Sequence, residues 1–184
     1  MSLTTGIGLA AQNGILIRSG NALQAATKLQ AIILDKTGTI TKGKPELTDV
    51  LADNGFDEEE VLRLAAAVER SSEHPLATAI VEGARARGLA LPEAASFSAI
   101  PGHGVEADVA GRHVLLGNAR LLAGRGIALG RLEAEAVRLA DHGKTPMFVA
   151  VDGVAAGIVA AADTIKEDSI AAITRLKQMG LEVA

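Results

Sequence analysis

The chain has no cysteine, no tryptophan and no tyrosine, and its phenylalanines number only three, Phe56, Phe97 and Phe148. Without cysteine it can form neither disulfides nor thiolate metal sites, which fits a reducing compartment. With so few rings, the core has to be assembled from Ala, Val, Leu and Ile. No apolar stretch approaches the roughly 18 residues of a membrane span, and no signal-peptide pattern is visible, so these residues are expected to be soluble. Nor is there a basic run: the net charge is −4, which argues against general nucleic-acid binding. What is present is 184 residues, 48% hydrophobic and 22% charged, enough for one or two globular units with a real core. Met1-Ser2-Leu3 reads as an expression scar and carries no weight.

Periodicity gives the organisation. Thr4 to Asn13 is small and apolar, and "GILIRSG" (Gly14 to Gly20) reads as a short extended piece. Asn21 is placed to cap a short helix over "ALQAATK", leading into a strand from Ala31 to Leu34. "PELTDVLAD" reads as another strand. "DEEEVLRLAAAVERS" has acids in its first turn and apolar residues at helical spacing, and a second helix begins near Pro75. From Ser96 the period shortens, and "SFSAIPGHGVEADVAGRHVLLGN" alternates between glycine breaks like antiparallel strands. A helix over "RLEAEAVRLADHG" stops at Gly143. A hairpin turns at Asp152-Gly153, and a last helix ends at Gly180. "LEVA" starts a strand and stops, which suggests a fragment.

The order of elements predicts an α/β sheet whose first strand is Ala31 to Leu34 and whose return leg is the final helix and strand. Residues 1–42 and 161–184 would form that domain, incomplete, and 43–160 a domain inserted into it. The inserted part is expected to be α+β, an antiparallel sheet with flanking helices. Domains inserted through two strands of chain commonly move as lids.

Chemistry points first to "AIILDKTGTITKGK". Ligands of open α/β sheets gather at the carboxyl ends of strands, where Asp35 would lie. A carboxylate there can attack phosphorus and form an aspartyl phosphate, with backbone N–H groups, Lys36 and threonines around it to hold phosphoryl oxygens. The plain alternative is an aspartate closing a turn, and spacing alone leaves the two open.

"DKTGT" followed by "ITKGKPE" resembles the phosphorylation motif of the P-type ATPases, within the haloacid-dehalogenase-like superfamily. The resemblance implies Asp35 as phosphorylated nucleophile, with Lys36, Thr37 and Thr39 beside it and a partial Mg²⁺ site at Asp35 and Thr37. Superfamily phosphatases carry a second aspartate where this chain has Thr37. Without that acid the acyl phosphate should live longer, as a pump requires.

"ERSSEHPLATAI" is similar to the Ser-Glu-His-Pro-Leu motif of the heavy-metal-transporting class. There His74 is implied to stack on adenine and Glu69 to accept from its amino group; the bland reading makes Ser71-Ser72 helix caps and His74 an exposed neighbour. "IPGHGVEADVAGRHVLLGN" superficially fits a dinucleotide fingerprint through Gly102, Gly104 and Ala107, but strands follow rather than a helix, so that reading fails. Gly102, Gly104, Val105, Gly117 and Asn118 instead match the nucleotide pocket of the heavy-metal pumps, against the alternative of two hairpin turns. His103 and His113 are expected at the surface. "HGKTP" departs from a P-loop, because Arg138 stands where the first glycine is needed.

"AADTIKEDS" resembles the hinge returning to the phosphorylation domain, with Asp163 in the family's aspartate position. No Thr-Gly-Asp strand end and no Gly-Asp-Gly-x-Asn-Asp loop is present. The resemblance therefore implies the ATP-binding region of a multi-pass membrane pump, on the cytoplasmic side, and not catalytically competent alone. Implied cofactors are ATP and Mg²⁺. Implied partners are the protein's own membrane and actuator domains and metal chaperone or metal-binding domains, with no nucleic acid. A sheet edge left unpaired near Leu181 to Ala184 would favour self-association. "AQNGILI" favours copper export, with a zinc or cadmium pump as the alternative. A cap-bearing phosphatase and a non-catalytic nucleotide-binding module are the rivals from other classes.

Overall fold

A computed structural model describes residues 3–184. Two helices, α1 (Leu3–Gln12) and α2 (Gly20–Ala26), precede a short strand, β1 (Ala31–Ile32). After the Asp35 loop come β2 (Thr41–Ala52), α3 (Glu58–Glu69) and α4 (Pro75–Ala86). Three strands follow, β3 (Ala94–Ile100), β4 (Gly104–Val109) and β5 (Arg112–Gly117), then helices α5 (Ala119–Gly124) and α6 (Arg131–Asp141). A hairpin of β6 (Thr145–Val151) and β7 (Val154–Ile165) leads to α7 (Ser169–Gln178) and β8 (Glu182–Val183).

The chain divides into two units. Thr41–Ile165 forms the larger, and the residues up to Ile40 with Lys166–Ala184 form the smaller. The expected boundaries at 42/43 and 160/161 fall inside β2 and β7. Those strands pair antiparallel from Thr41 opposite Ile165 to Ala52 opposite Gly157, and a continuous strand pair belongs to one unit.

The larger unit is a six-stranded antiparallel sheet in the order β2-β7-β6-β5-β4-β3. Because side chains alternate across a strand, each strand can feed two cores. Val114, Leu116, Val149 and Val151 join the cluster under α3 and α4. Leu115, Phe148 and Ala150 join the cluster that holds Leu121, Leu122 and Leu139 of α5 and α6. Both faces are covered, so these strands read as apolar runs rather than clean alternation.

The helices start where the sequence supplies caps. The Asp57 carboxylate accepts the Glu60 N–H at 2.7 Å, and Glu58, Glu59 and Glu60 sit at the positive end of α3. The hairpin turn at Asp152-Gly153 has positive φ at both residues, as a two-residue turn between twisted strands demands.

In the smaller unit, β1 pairs parallel with β8, Ala31 opposite Glu182 and Ile32 opposite Val183. The Leu34 N–H also donates to the Ala184 carbonyl at 2.9 Å. Leu181 to Ala184 therefore pairs on one side with β1, and among the described residues no further strand joins it, in line with the unpaired sheet edge expected there. The stretch Gly14 to Gly20 contains no strand, and Thr4 to Asn13 lies largely in α1. Ser19, not Asn21, caps α2: its hydroxyl accepts the Ala22 N–H at 3.2 Å, and Asn21 lies inside the helix.

Candidate functional site

A hollow of about 450 Å³ lies in the larger unit, where the ends of α3 and β3 meet the β4–β5 pair and the start of β6. Glu69, His74, Gly102, Gly104, Val105, Gly117 and Asn118 all line it. Sequence reasoning missed its apolar wall, formed by Leu76, Ile100, Leu116 and Met147. These read simply as core positions of helices and strands, and nothing in their local pattern marks them as lining.

Glu69 closes α3 and is only 6% exposed. Among the described residues its Oε2 has no hydrogen-bond partner. Burial pushes its carboxyl above the usual glutamate range, while the Ser72 hydroxyl and nearby His74 pull the other way. A folded-state carboxyl raised by burial binds its proton more tightly than the unfolded chain does. Stability therefore falls as pH rises from the ordinary glutamate range through the raised value. Glu69→Gln should flatten that part of the pH–stability curve and leave the variant the more stable at neutral pH, as read from urea midpoints.

His74 is itself the N-cap of α4: its Nδ1 accepts the Leu76 N–H at 3.2 Å. That contact makes Nδ1 the acceptor and leaves the proton on Nε2. Ser72 does not cap the helix; its hydroxyl accepts the His74 N–H at 3.3 Å. Pro75 follows at the first helical position, where a missing N–H costs nothing. The ring is thus fixed at the hollow's edge by its own cap bond.

The glycines have distinct reasons. A Cβ on Gly104 would stand 2.1 Å from the Leu116 carbonyl oxygen, and one on Gly117 would stand 2.2 Å from that of His103. The β4 and β5 backbones approach too closely for a side chain at either place. Gly102, at φ +74, has open space instead and serves the turn. The structure gives Gly104 and Gly117 a packing role, distinct from the expectation that these glycines let a ligand near the backbone. Asn118 locks the arrangement. Its Nδ2 donates to the Gly102 carbonyl at 3.0 Å, and its Oδ1 accepts the Leu121 N–H at 3.0 Å. Gly104 opens β4, not a helix, which removes the dinucleotide reading. His103 and His113 are exposed, as expected.

Asp35, Lys36, Thr37 and Thr39 lie exposed in the smaller unit. Thr37 (φ −75, ψ 120) and Gly38 (φ 76, ψ −11) form a type II turn rather than a helix. The return segment holds this turn: Lys166 Nζ donates to the Gly38 carbonyl at 2.8 Å, and the Ser169 hydroxyl to that of Ile40 at 2.8 Å. Sequence reasoning missed Lys166 and Ser169, which stand more than a hundred residues from the turn in the chain. In the larger unit, Asp163 accepts the Thr41 hydroxyl at 2.5 Å and the Gly43 N–H at 2.8 Å. It thereby fastens the register shift between Thr41 and Pro45 of β2.

No group of three potential metal-ligating side chains occurs among the described residues. Asp35 and Thr37 offer one carboxylate and one hydroxyl, short of the roughly six oxygens that Mg²⁺ takes. They do not make a Mg²⁺ site by themselves.

A sheet carrying an aspartate loop, interrupted by an antiparallel unit with its own hollow, defines a class. The chain belongs to the haloacid dehalogenase-like hydrolases, whose family model matches residues 29–184. It is 47% identical over 183 residues to copper-transporting ATPase 1 of Rhizobium meliloti (strain 1021), covering 100% of this chain and 22% of that protein. Among solved structures, a zinc-transporting PIB-type ATPase in the E2.Pi state matches with a TM-score of 0.91 at 37% identity. That match covers 99% of this chain and 29% of the other. The N-domain of HMA8, a copper-transporting P-type ATPase, matches 65% of this chain and 99% of its own length, at 32% identity and a TM-score of 0.52. The expected likeness to heavy-metal P-type ATPases is borne out, as is the fold class. The chain spans about a fifth of the length of the curated relatives it matches. No helix among the described residues is long and apolar enough to cross a membrane.

Proposed function

We propose that the larger unit, Thr41–Ile165, binds ATP, and that Asp35 accepts the γ-phosphate in a membrane pump for heavy-metal cations. The observation that carries this reading is the buried, unpartnered Glu69 Oε2 at the wall of an apolar hollow. Such an acceptor calls for a ligand with an N–H donor on a flat apolar body, because an unmet buried acceptor is costly. Adenine offers both, its amino group to Glu69 and its face to the His74 ring. Gly102, Gly104, Val105, Gly117 and Asn118 shape the rest of the pocket.

In the parent protein, an Asp35 carboxylate oxygen attacks the γ-phosphorus in line. The new oxygen–phosphorus bond forms as the bond to the bridging oxygen breaks, and ADP leaves with the electron pair. Lys36, Thr37 and Thr39 offset charge on the transferring group. ATP and Mg²⁺ are the cofactors of the parent, and Asp163 is its hinge residue. The membrane and actuator domains, and metal chaperone or metal-binding domains, are its proposed partners. Copper is the proposed cargo, because curated relatives at 47% identity over the whole chain are copper-transporting ATPases; the zinc-transporting structural neighbour supports the zinc alternative. Thr37, in the place of a phosphatase's acid, disfavours the phosphatase reading.

His74→Asn tests the pocket. Asparagine is a strong N-cap, so α4 keeps its start while the ring is lost. ATP affinity should fall by about 1–2 kcal/mol, the range of a base stacked on a ring, with thermal stability nearly unchanged. Undiminished affinity by calorimetry returns His74 to a capping role alone.

A further inference from the structure

A second hollow, about 230 Å³, adjoins the first and shares Ile100 and His103 with it. Its remaining wall comes from α5 and its end, with Arg120 and Arg125 among the lining residues. The two hollows differ in charge. The first holds one buried acid, Glu69, amid apolar side chains; the second holds two guanidinium groups. Arg125 is already engaged, its Nη2 donating to Glu106 at 2.7 Å. Arg120 is exposed, and among the described residues it has no ion pair. His103 Nδ1 donates to the Pro101 carbonyl at 2.9 Å, which leaves Nε2 as the ring's other polar atom. Asn118, whose bonds to Gly102 and Leu121 set the start of α5, fixes where Arg120 stands two residues later.

We propose that Arg120, with His103 beside it, receives the phosphate chain of the nucleotide, as a positioning residue that sets the direction in which the chain leaves the base pocket. This rests on the nucleotide reading of the first hollow. A ligand that fills both hollows needs a flat apolar head with an amino donor at the Glu69 end and a polyanionic tail at the Arg120 end. A nucleoside polyphosphate has that polarity. Arg120 supplies a fork of donors matched to phosphate oxygens, whereas the charge of Arg125 is spent on Glu106.

The test is calorimetric titration of the chain with ATP and, separately, with adenosine. Arg120→Ala should weaken ATP roughly tenfold, the size of one hydrogen bond to a charged group, and leave adenosine within about twofold. Arg120→Lys should recover part of the loss, and the salt dependence of ATP binding should be shallower in Arg120→Ala. Equal ATP affinity in wild type and Arg120→Ala overturns the proposal while leaving the base pocket intact. Equal losses for ATP and adenosine also overturn it, by showing a distorted pocket rather than a missing phosphate contact. Failure of the wild type to bind either ligand overturns the nucleotide reading itself, and the proposal with it.

Discussion

Gly104→Ala is expected to destabilise the larger unit by about 3 kcal/mol or more, an effect in the range of overpacking joined to backbone strain. The added Cβ would meet the Leu116 carbonyl oxygen at 2.1 Å and the Gly117 Cα at 2.6 Å, both backbone atoms that no rotamer change can move. The residue's φ of +151 is also one that L side chains rarely adopt. Gly104 pairs with Ile100 of β3 on one side and Gly117 of β5 on the other. Relief would therefore have to open a ladder at the wall of the hollow, and ATP binding should be lost with it. Gly102→Ala is the contrast. Its φ is +74 but its Cβ would meet nothing within 4 Å, so only the backbone penalty of about 1 kcal/mol applies. Urea unfolding of the two variants separates the effects. Similar costs at both positions would mean that the close approach of β4 and β5 relaxes freely.

That contrast also marks how far the sequence could be read. Glycines at 102, 104 and 117 were legible as a cluster between strands, because turns and close approaches select glycine. Which glycine answers to a turn and which to a neighbouring backbone depends on register, Gly104 opposite Gly117, and register is a property of paired strands. His74 was legible as a residue held before a proline. That its own ring caps α4 requires the side-chain torsion, which the sequence does not carry. The strands of the larger unit were legible by period, and the hairpin at Asp152-Gly153 by its turn residues. The short helix α5 went unread: at six residues it is shorter than two turns and shows no periodicity. Lys166 illustrates the remaining limit. A lysine two residues before an aspartate at a helix start looks like a solvated charge, and only folding brings its ammonium to the Gly38 carbonyl across the chain.

The largest effect on activity is expected at Asp35, measured in a chain that also carries the relatives' remaining segments. Asp35→Asn keeps the size and shape of the side chain while removing the anionic oxygen proposed to attack phosphorus. Incubation with γ-labelled ATP should give wild type an acid-stable, hydroxylamine-labile label, as an acyl phosphate requires, and the variant none above background. ATP binding should be unaffected, since every residue of the proposed base pocket lies in the larger unit and Asp35 lies in the smaller. Lys166→Met supplies the graded comparison. Loss of the donor to the Gly38 carbonyl loosens the type II turn that presents Asp35, so labelling should slow without disappearing, and the label should remain hydroxylamine-labile. A label of the same chemistry in Asp35→Asn would place the acceptor elsewhere. Thr37→Asp completes the set: a carboxyl two residues after the nucleophile can activate water, so the label should form and then decay faster than in wild type. An unchanged decay would remove Thr37 as the position that separates a lasting acyl phosphate from a phosphatase's transient one.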